Sequence, residues 1–148
     1  MRQNAVTLYV EDSEAESIPT VDLKDFAPPY LFVYGTLMRG EHNEQVMPSG
    51  AKFLGEASTK EGFALLNMGL PAMIRRAGAG VVRGEVYEVN EGILARLDRF
   101  EGHPDFYRRE RVPLEGPVPE AWCYLRATPY SRAEAMPSPA SWKERSVS

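Results

Sequence analysis

Apolar residues along this chain fall mostly into short, strand-length runs. Tyr30-Leu31-Phe32-Val33-Tyr34 is a compact aromatic and β-branched run that stops at Gly35, as a buried strand should. Ala51–Gly55, Gly62–Asn67, Gly80–Val89, Phe106–Pro113 and Glu120–Ala127 read as further strands. Glycine and proline punctuate most of the gaps, at Gly69-Leu70-Pro71, Gly78 and Gly116-Pro117. One segment switches to helical spacing. Asn90 is a good N-cap, Glu91 places negative charge in the first turn, and Ile93, Leu94, Leu97 and Phe100 form one apolar face. Gly102 sits where a left-handed stop belongs, and Pro104 forbids continuation. Several strands, one helix near the end and no βαβ rhythm predict an α+β fold: a small mixed β-barrel with one or two short helices.

The flanks read differently. Residues 1–29 combine a strand-like Ala5–Val10 with a polar acidic stretch ending at Pro28-Pro29, which forces the chain extended and marks a boundary. They form an acidic N-terminal extension, either a tail or an edge strand on the main sheet. Residues 128–148, rich in Pro, Ser and charge, read as an extended tail. The expected catalytic domain spans 30–145.

Composition sharpens this division. The chain has 148 residues, 43% hydrophobic and 26% charged, which suits one globular domain. Its net charge is −4, and residues 1–29 carry all of it, with six carboxylates against Arg2 and Lys24. The remaining body is neutral and offers no field for nucleic acid. No apolar run reaches the ~18–20 residues of a membrane span, and the N-terminus lacks a secretory pattern, so a cytoplasmic protein is expected. With one cysteine, Cys123, no internal disulfide framework is possible; with two histidines, neither metal nor cofactor is expected. Cys123 alternates with aromatics and reads as a core thiol, while His42 and His103 read as turn histidines.

Two stretches depart from well-behaved strand and helix patterns. In Tyr34-Gly35-Thr36-Leu37-Met38-Arg39-Gly40, a strand ends in a glycine-flanked turn that can direct successive backbone N–H groups into one concavity for a carboxylate or oxyanion. The same sequence suits an ordinary tight turn. The second runs from Leu97 to Arg109. Glu101 lies between Phe100 and Gly102 at a helix C-terminus, with Phe106 and Tyr107 close behind. Aromatic walls and the helix dipole would both raise a carboxyl pKa toward that of a general base, whereas a solvated surface glutamate is the plain alternative.

Together these stretches resemble the γ-glutamylcyclotransferase-like (AIG2-like) family, especially its γ-glutamylamine cyclotransferase branch. The likeness rests on Phe32-Val33-Tyr34-Gly35-Thr36-Leu37-Met38-Arg39-Gly40 with Asn43, and on Leu97–Gly102 through Phe106-Tyr107-Arg108-Arg109. Gly69-Leu70-Pro71-Ala72, Gly84-Glu85-Val86-Tyr87 and Trp142 follow in the family's order. The resemblance covers roughly residues 30–145. It departs where Glu44 follows Asn43, where Ala140-Ser141 precedes Trp142, and in the first 29 residues, which have no counterpart.

The resemblance implies release of 5-oxoproline and a free amine from γ-glutamyl-amines such as γ-glutamyl-ε-lysine, by attack of the substrate's own α-amine. Glu101 would be the general acid/base. Tyr34, Gly35, Thr36 and Leu37 would bind substrate, and Tyr107 would line the pocket. Intramolecular attack needs no enzyme nucleophile, in keeping with the lack of a paired Ser/His or Cys/His. The implied partner is a small-molecule γ-glutamyl substrate, with no nucleic acid or membrane, and the protein a monomer or weak dimer. Two alternatives stay open: removal of a γ-glutamyl cap from a biosynthetic intermediate, and a non-catalytic binding module.

Overall fold

A computed structural model describes residues 29–41, 43–127 and 135–145. The strand-like Ala5–Val10, the acidic extension to Pro28 and His42 lie outside the described residues. Strands β1 (Tyr30–Val33), β2 (Lys52–Thr59), β5 (Arg83–Glu88), β6 (Tyr107–Glu115) and β7 (Glu120–Arg126) close into a barrel in the order β1-β5-β2-β6-β7. Parallel pairing of Leu31 with Trp122 joins β7 back to β1, and the other neighbours are antiparallel. Strands β3 (Phe63–Asn67) and β4 (Pro71–Arg75) form a separate hairpin. Among the described residues the single α-helix, α1, spans Glu91–Glu101, and short 3-10 turns cover Glu44–Val46 and Trp142–Glu144. The mixed α+β barrel expected from the sequence is therefore present.

The barrel closes tightly because small residues stand where strands crowd. Gly84 on β5 faces the Val33 carbonyl and the Phe32 ring so closely that a Cβ there would overlap both. Phe32, Leu31, Val86, Val112 and Cys123 fill the interior, with Leu94 and Leu97 of α1 packed against them. Burial pushes the Cys123 thiol pKa well up, consistent with a core thiol.

Helix α1 begins and ends as its residues dictate. The Asn90 side chain accepts from the Ile93 N–H at 2.8 Å, and Gly102 takes the left-handed conformation at φ 69°. Its buried stripe is Ile93, Leu94 and Leu97, but Phe100 is 45% exposed rather than part of that face. Continuing the i, i+4 step from Leu97 leads to Glu101, so the carboxylate takes the inward place expected for the aromatic ring.

Other boundaries moved for local reasons. Strand β2 runs on past Gly55 to Thr59, because Gly55, at φ 145°, lies at a register shift instead of a strand end. The Gly69-Leu70-Pro71 punctuation hides a tight hairpin. Asn67 Oδ1 accepts from the Gly69 N–H at 3.0 Å, Gly69 is left-handed at φ 83°, and Pro71 opens β4 opposite Asn67. The expected C-terminal tail is docked over 135–145. Met136 N–H donates to the Leu65 carbonyl (2.8 Å), Ala140 bridges Val82, and Trp142 is 4% exposed. Burying Met136, Ala140 and Trp142 supplies the reason that a reading of the Pro and Ser content overlooked.

Candidate active site

A cavity of about 320 Å³ opens where three parts of the fold meet. Residues Phe32–Leu37 with Asn43 form one wall, the hairpin tip Gly69-Leu70-Pro71 a second, and Phe100, Glu101, Tyr107 and Tyr124 a third. All the residues singled out from sequence (Tyr34, Gly35, Thr36, Leu37, Glu101 and Tyr107) converge here.

Among the described residues, Glu101 is the only charged one in the lining. Its carboxyl makes no hydrogen bond or ion pair among the described residues, and burial alone raises its pKa from 4.5 to about 7. Partial desolvation leaves an ionised carboxylate there less stable than in water, so its proton is exchangeable near neutrality. The helix end carrying it is clamped one turn earlier. Asp98 binds Arg109 in a bidentate pair at 2.8 and 3.1 Å and accepts from Tyr124 Oη at 2.7 Å. Burial opposes ionisation of Asp98, but the hydrogen bonds from Arg109 and Tyr124 outweigh it and hold the carboxyl below its ordinary pKa. His103, in the turn after α1, accepts the Arg109 N–H on Nδ1 at 3.0 Å.

The loop opposite supplies donors. The backbone N–H groups of Gly35, Thr36 and Leu37 have no protein acceptor among the described residues. The loop is pinned at both ends: Asn43 donates to the Thr36 carbonyl (2.8 Å) and to Thr36 Oγ1 (2.9 Å), and Arg39 N–H donates to Glu85 Oε1 (3.0 Å). Glu85, 3% exposed, also binds Arg39 Nε at 3.3 Å and accepts from Tyr87 Oη at 3.3 Å. From the C-terminal segment, Lys143 Nζ donates to the Arg39 carbonyl and Arg145 pairs with Glu41 at 3.1 Å. A held run of N–H groups of this kind is able to take an anion without reorganisation.

Gly35 is needed for space rather than for backbone conformation. A Cβ there would run into the Pro71 ring, so the loop and the hairpin tip can meet only over a glycine. The two tyrosines hold this junction. Tyr34 Oη donates to the Tyr124 carbonyl (2.6 Å) and accepts from Met73 N–H (3.1 Å), and burial raises its pKa well above the ordinary value. Tyr107 Oη donates to the Pro71 carbonyl at 2.6 Å, and burial raises its pKa too. Both hydroxyls thus serve the scaffold, and their rings face the cavity.

Sequence reading did not single out Leu70, Pro71, Phe100 or Tyr124 as site residues, nor Asp98 and Glu85 as their supports. The i, i+4 stripe ending on Glu101 was a signal available for the helix. Nothing in local sequence marks Tyr124, because its place depends on the β6–β7 register.

Comparison with known proteins places the chain in a family and a fold. The family described as gamma-glutamyl cyclotransferase, AIG2-like, matches residues 31–144. A gammaglutamylaminecyclotransferase of Bos taurus is 42% identical over 108 residues, covering 66% of this chain and 64% of that protein. The Homo sapiens protein of the same name is 38% identical over 120 residues, covering 66% and 78%. The crystal structure of an AIG2-like protein from Mus musculus superposes with a TM-score of 0.62 at 30% identity, covering 81% of this chain and 98% of that one. Among the described residues no helix is long and apolar enough to cross a membrane.

Proposed function

The chain belongs to the AIG2-like gamma-glutamyl cyclotransferase family, and from that premise we propose that residues 30–145 convert γ-glutamyl-amines, γ-glutamyl-ε-lysine among them, to 5-oxoproline and a free amine. The observation that carries this reading is a largely buried carboxyl, of pKa about 7, lining one cavity with three backbone donors, none of them partnered among the described residues.

The chemistry balances around one proton carrier. Ionised Glu101 takes a proton from the substrate's α-ammonium, and the freed amine attacks the γ-carbonyl carbon, closing a five-membered ring. The carbonyl oxygen becomes an oxyanion. N–H groups of Gly35, Thr36 and Leu37 stabilise this charge and hold the α-carboxylate, for which the cavity lining offers no lysine or arginine. Glu101 then gives its proton to the departing nitrogen, the old C–N bond breaks, and the amine leaves. The carboxylate accepts the ring nitrogen's surplus proton and passes it to the amine product. Folding the γ-glutamyl chain against the loop supplies the proximity that replaces an enzyme nucleophile.

Glu101→Gln keeps the shape and removes the proton carrier. Incubated with γ-glutamyl-ε-lysine, the wild-type chain should produce 5-oxoproline and lysine in equal amounts, and the variant should be slower by at least about 10²-fold. Glutamate in place of 5-oxoproline would show hydrolysis and overturn the reading, and an unimpaired variant would remove Glu101 from it.

A further inference from the structure

Two apolar side chains on facing walls of the cavity have no part in the cyclisation. Among the described residues three large hydrophobic side chains are notably exposed: Leu70 at 43%, Phe100 at 45% and Phe106 at 58%. Leu70 and Phe100 both line the cavity, one from the hairpin tip and the other from the last turn of α1. Phe106 lies against the turn that follows Glu101, where a Cβ added at Gly102 would come within 2.8 Å of its ring. The notable apolar exposure thus gathers around the site, and such clustering marks a surface that something covers. The occupant follows from the rest of the cavity. The γ-glutamyl ammonium and carboxylate are matched at Glu101 and the loop N–H groups. The part of the substrate left to meet Leu70 and Phe100 is the substituent on the departing nitrogen.

We infer that this rim reads the leaving amine, and that the preferred substrates are γ-glutamyl amides of apolar amines whose hydrocarbon chain lies across Leu70 and Phe100. The inference rests on the cyclotransferase reading and names its substrate class. Among the described lining residues a charged group on the leaving amine finds no counter-ion except the Glu101 carboxylate. Hydrocarbon removed from water gains about fourfold in affinity per fully buried methylene, and less on a half-open rim. Selectivity therefore grows with chain length instead of depending on a head group.

A series of γ-glutamyl n-alkylamides from methyl to pentyl tests this, with γ-glutamyl-ε-lysine as the charged compound of equal reach. With 5-oxoproline as the readout for the full chain, kcat/KM should rise about twofold per methylene, and the pentylamide should exceed the lysine compound. Leu70→Ser and Phe100→Ser should each flatten the rise. That slope compares substrates within one variant, so a partly folded preparation does not alter it. A flat series in the wild type, a preference for the lysine compound, or unchanged slopes in both variants would overturn the inference while leaving the cyclotransferase reading in place. If no amide yields 5-oxoproline, both fall together.

Discussion

Glu85 and Glu101 are both removed from solvent beside the loop that follows β1, yet their surroundings are opposite. Glu85, outside the cavity, accepts hydrogen bonds from the Arg39 backbone, the Arg39 guanidinium and Tyr87. Glu101, inside it, accepts none among the described residues. A carboxylate surrounded by donors fixes whatever donates to it. Without donors the carboxylate is left with its desolvation, and its proton becomes exchangeable near neutral pH. Burial alone therefore does not mark a chemical group here. Burial without partners does, and the paired glutamate serves by holding the loop that the unpaired one faces.

After the loss of turnover expected of Glu101→Gln, the next largest effect should come from the junction between loop and hairpin. Gly35→Val forces a side chain into Pro71 and separates the donors from Glu101. About 10²-fold lower kcat/KM is expected, and activity within a factor of three of wild type would show that the close approach is dispensable. Glu85→Ala should act mainly on stability. It leaves the Arg39 N–H without its acceptor, and urea unfolding should show a loss of about 1–3 kcal/mol. A neutral result would mean that Lys143 and Arg145 suffice to pin the loop.

The comparison also has a sign in pH. Below pH 4.5 Glu101 is protonated in both folded and unfolded chains and contributes no pH dependence. From 4.5 to about 7 the unfolded carboxyl ionises while the folded one keeps its proton, so stability falls as pH rises, and the full deficit is present above about 7. Glu101→Gln does not titrate and should exceed wild type by about 2 kcal/mol at pH 8, converging with it at pH 4. In the wild type the same ionisation should give kcat/KM an acid limb near pH 7. Equal stabilities at both pH values would show that the folded carboxyl is solvated after all.

Strand β1, the caps of α1 and the glycine-flanked loop were all legible from sequence because each depends on neighbours a few residues away. Legibility failed where contacts are long-range. Gly69-Leu70-Pro71 has the composition of a loop, and only its packing on Tyr107 and Gly35 makes it a cavity wall. The segment 135–145 is polar by count, yet three of its apolar residues find places on β3, β5 and the core. Phe100 looked like a core residue by hydrophobicity, whereas the helix turns Glu101 inward.

By itself, the sequence determined the elements other than β4, their order, and the two short motifs that carry the family resemblance. Tertiary structure alone decided that those motifs share a cavity, that Gly35 must be small because Pro71 lies over it, and that Glu101 has no partner among the described residues. The physical reason is that desolvation is a sum over neighbours. The residues that line the cavity with Glu101 come from β1, β6 and β7, which barrel closure brings together, and from the separate hairpin folded over them.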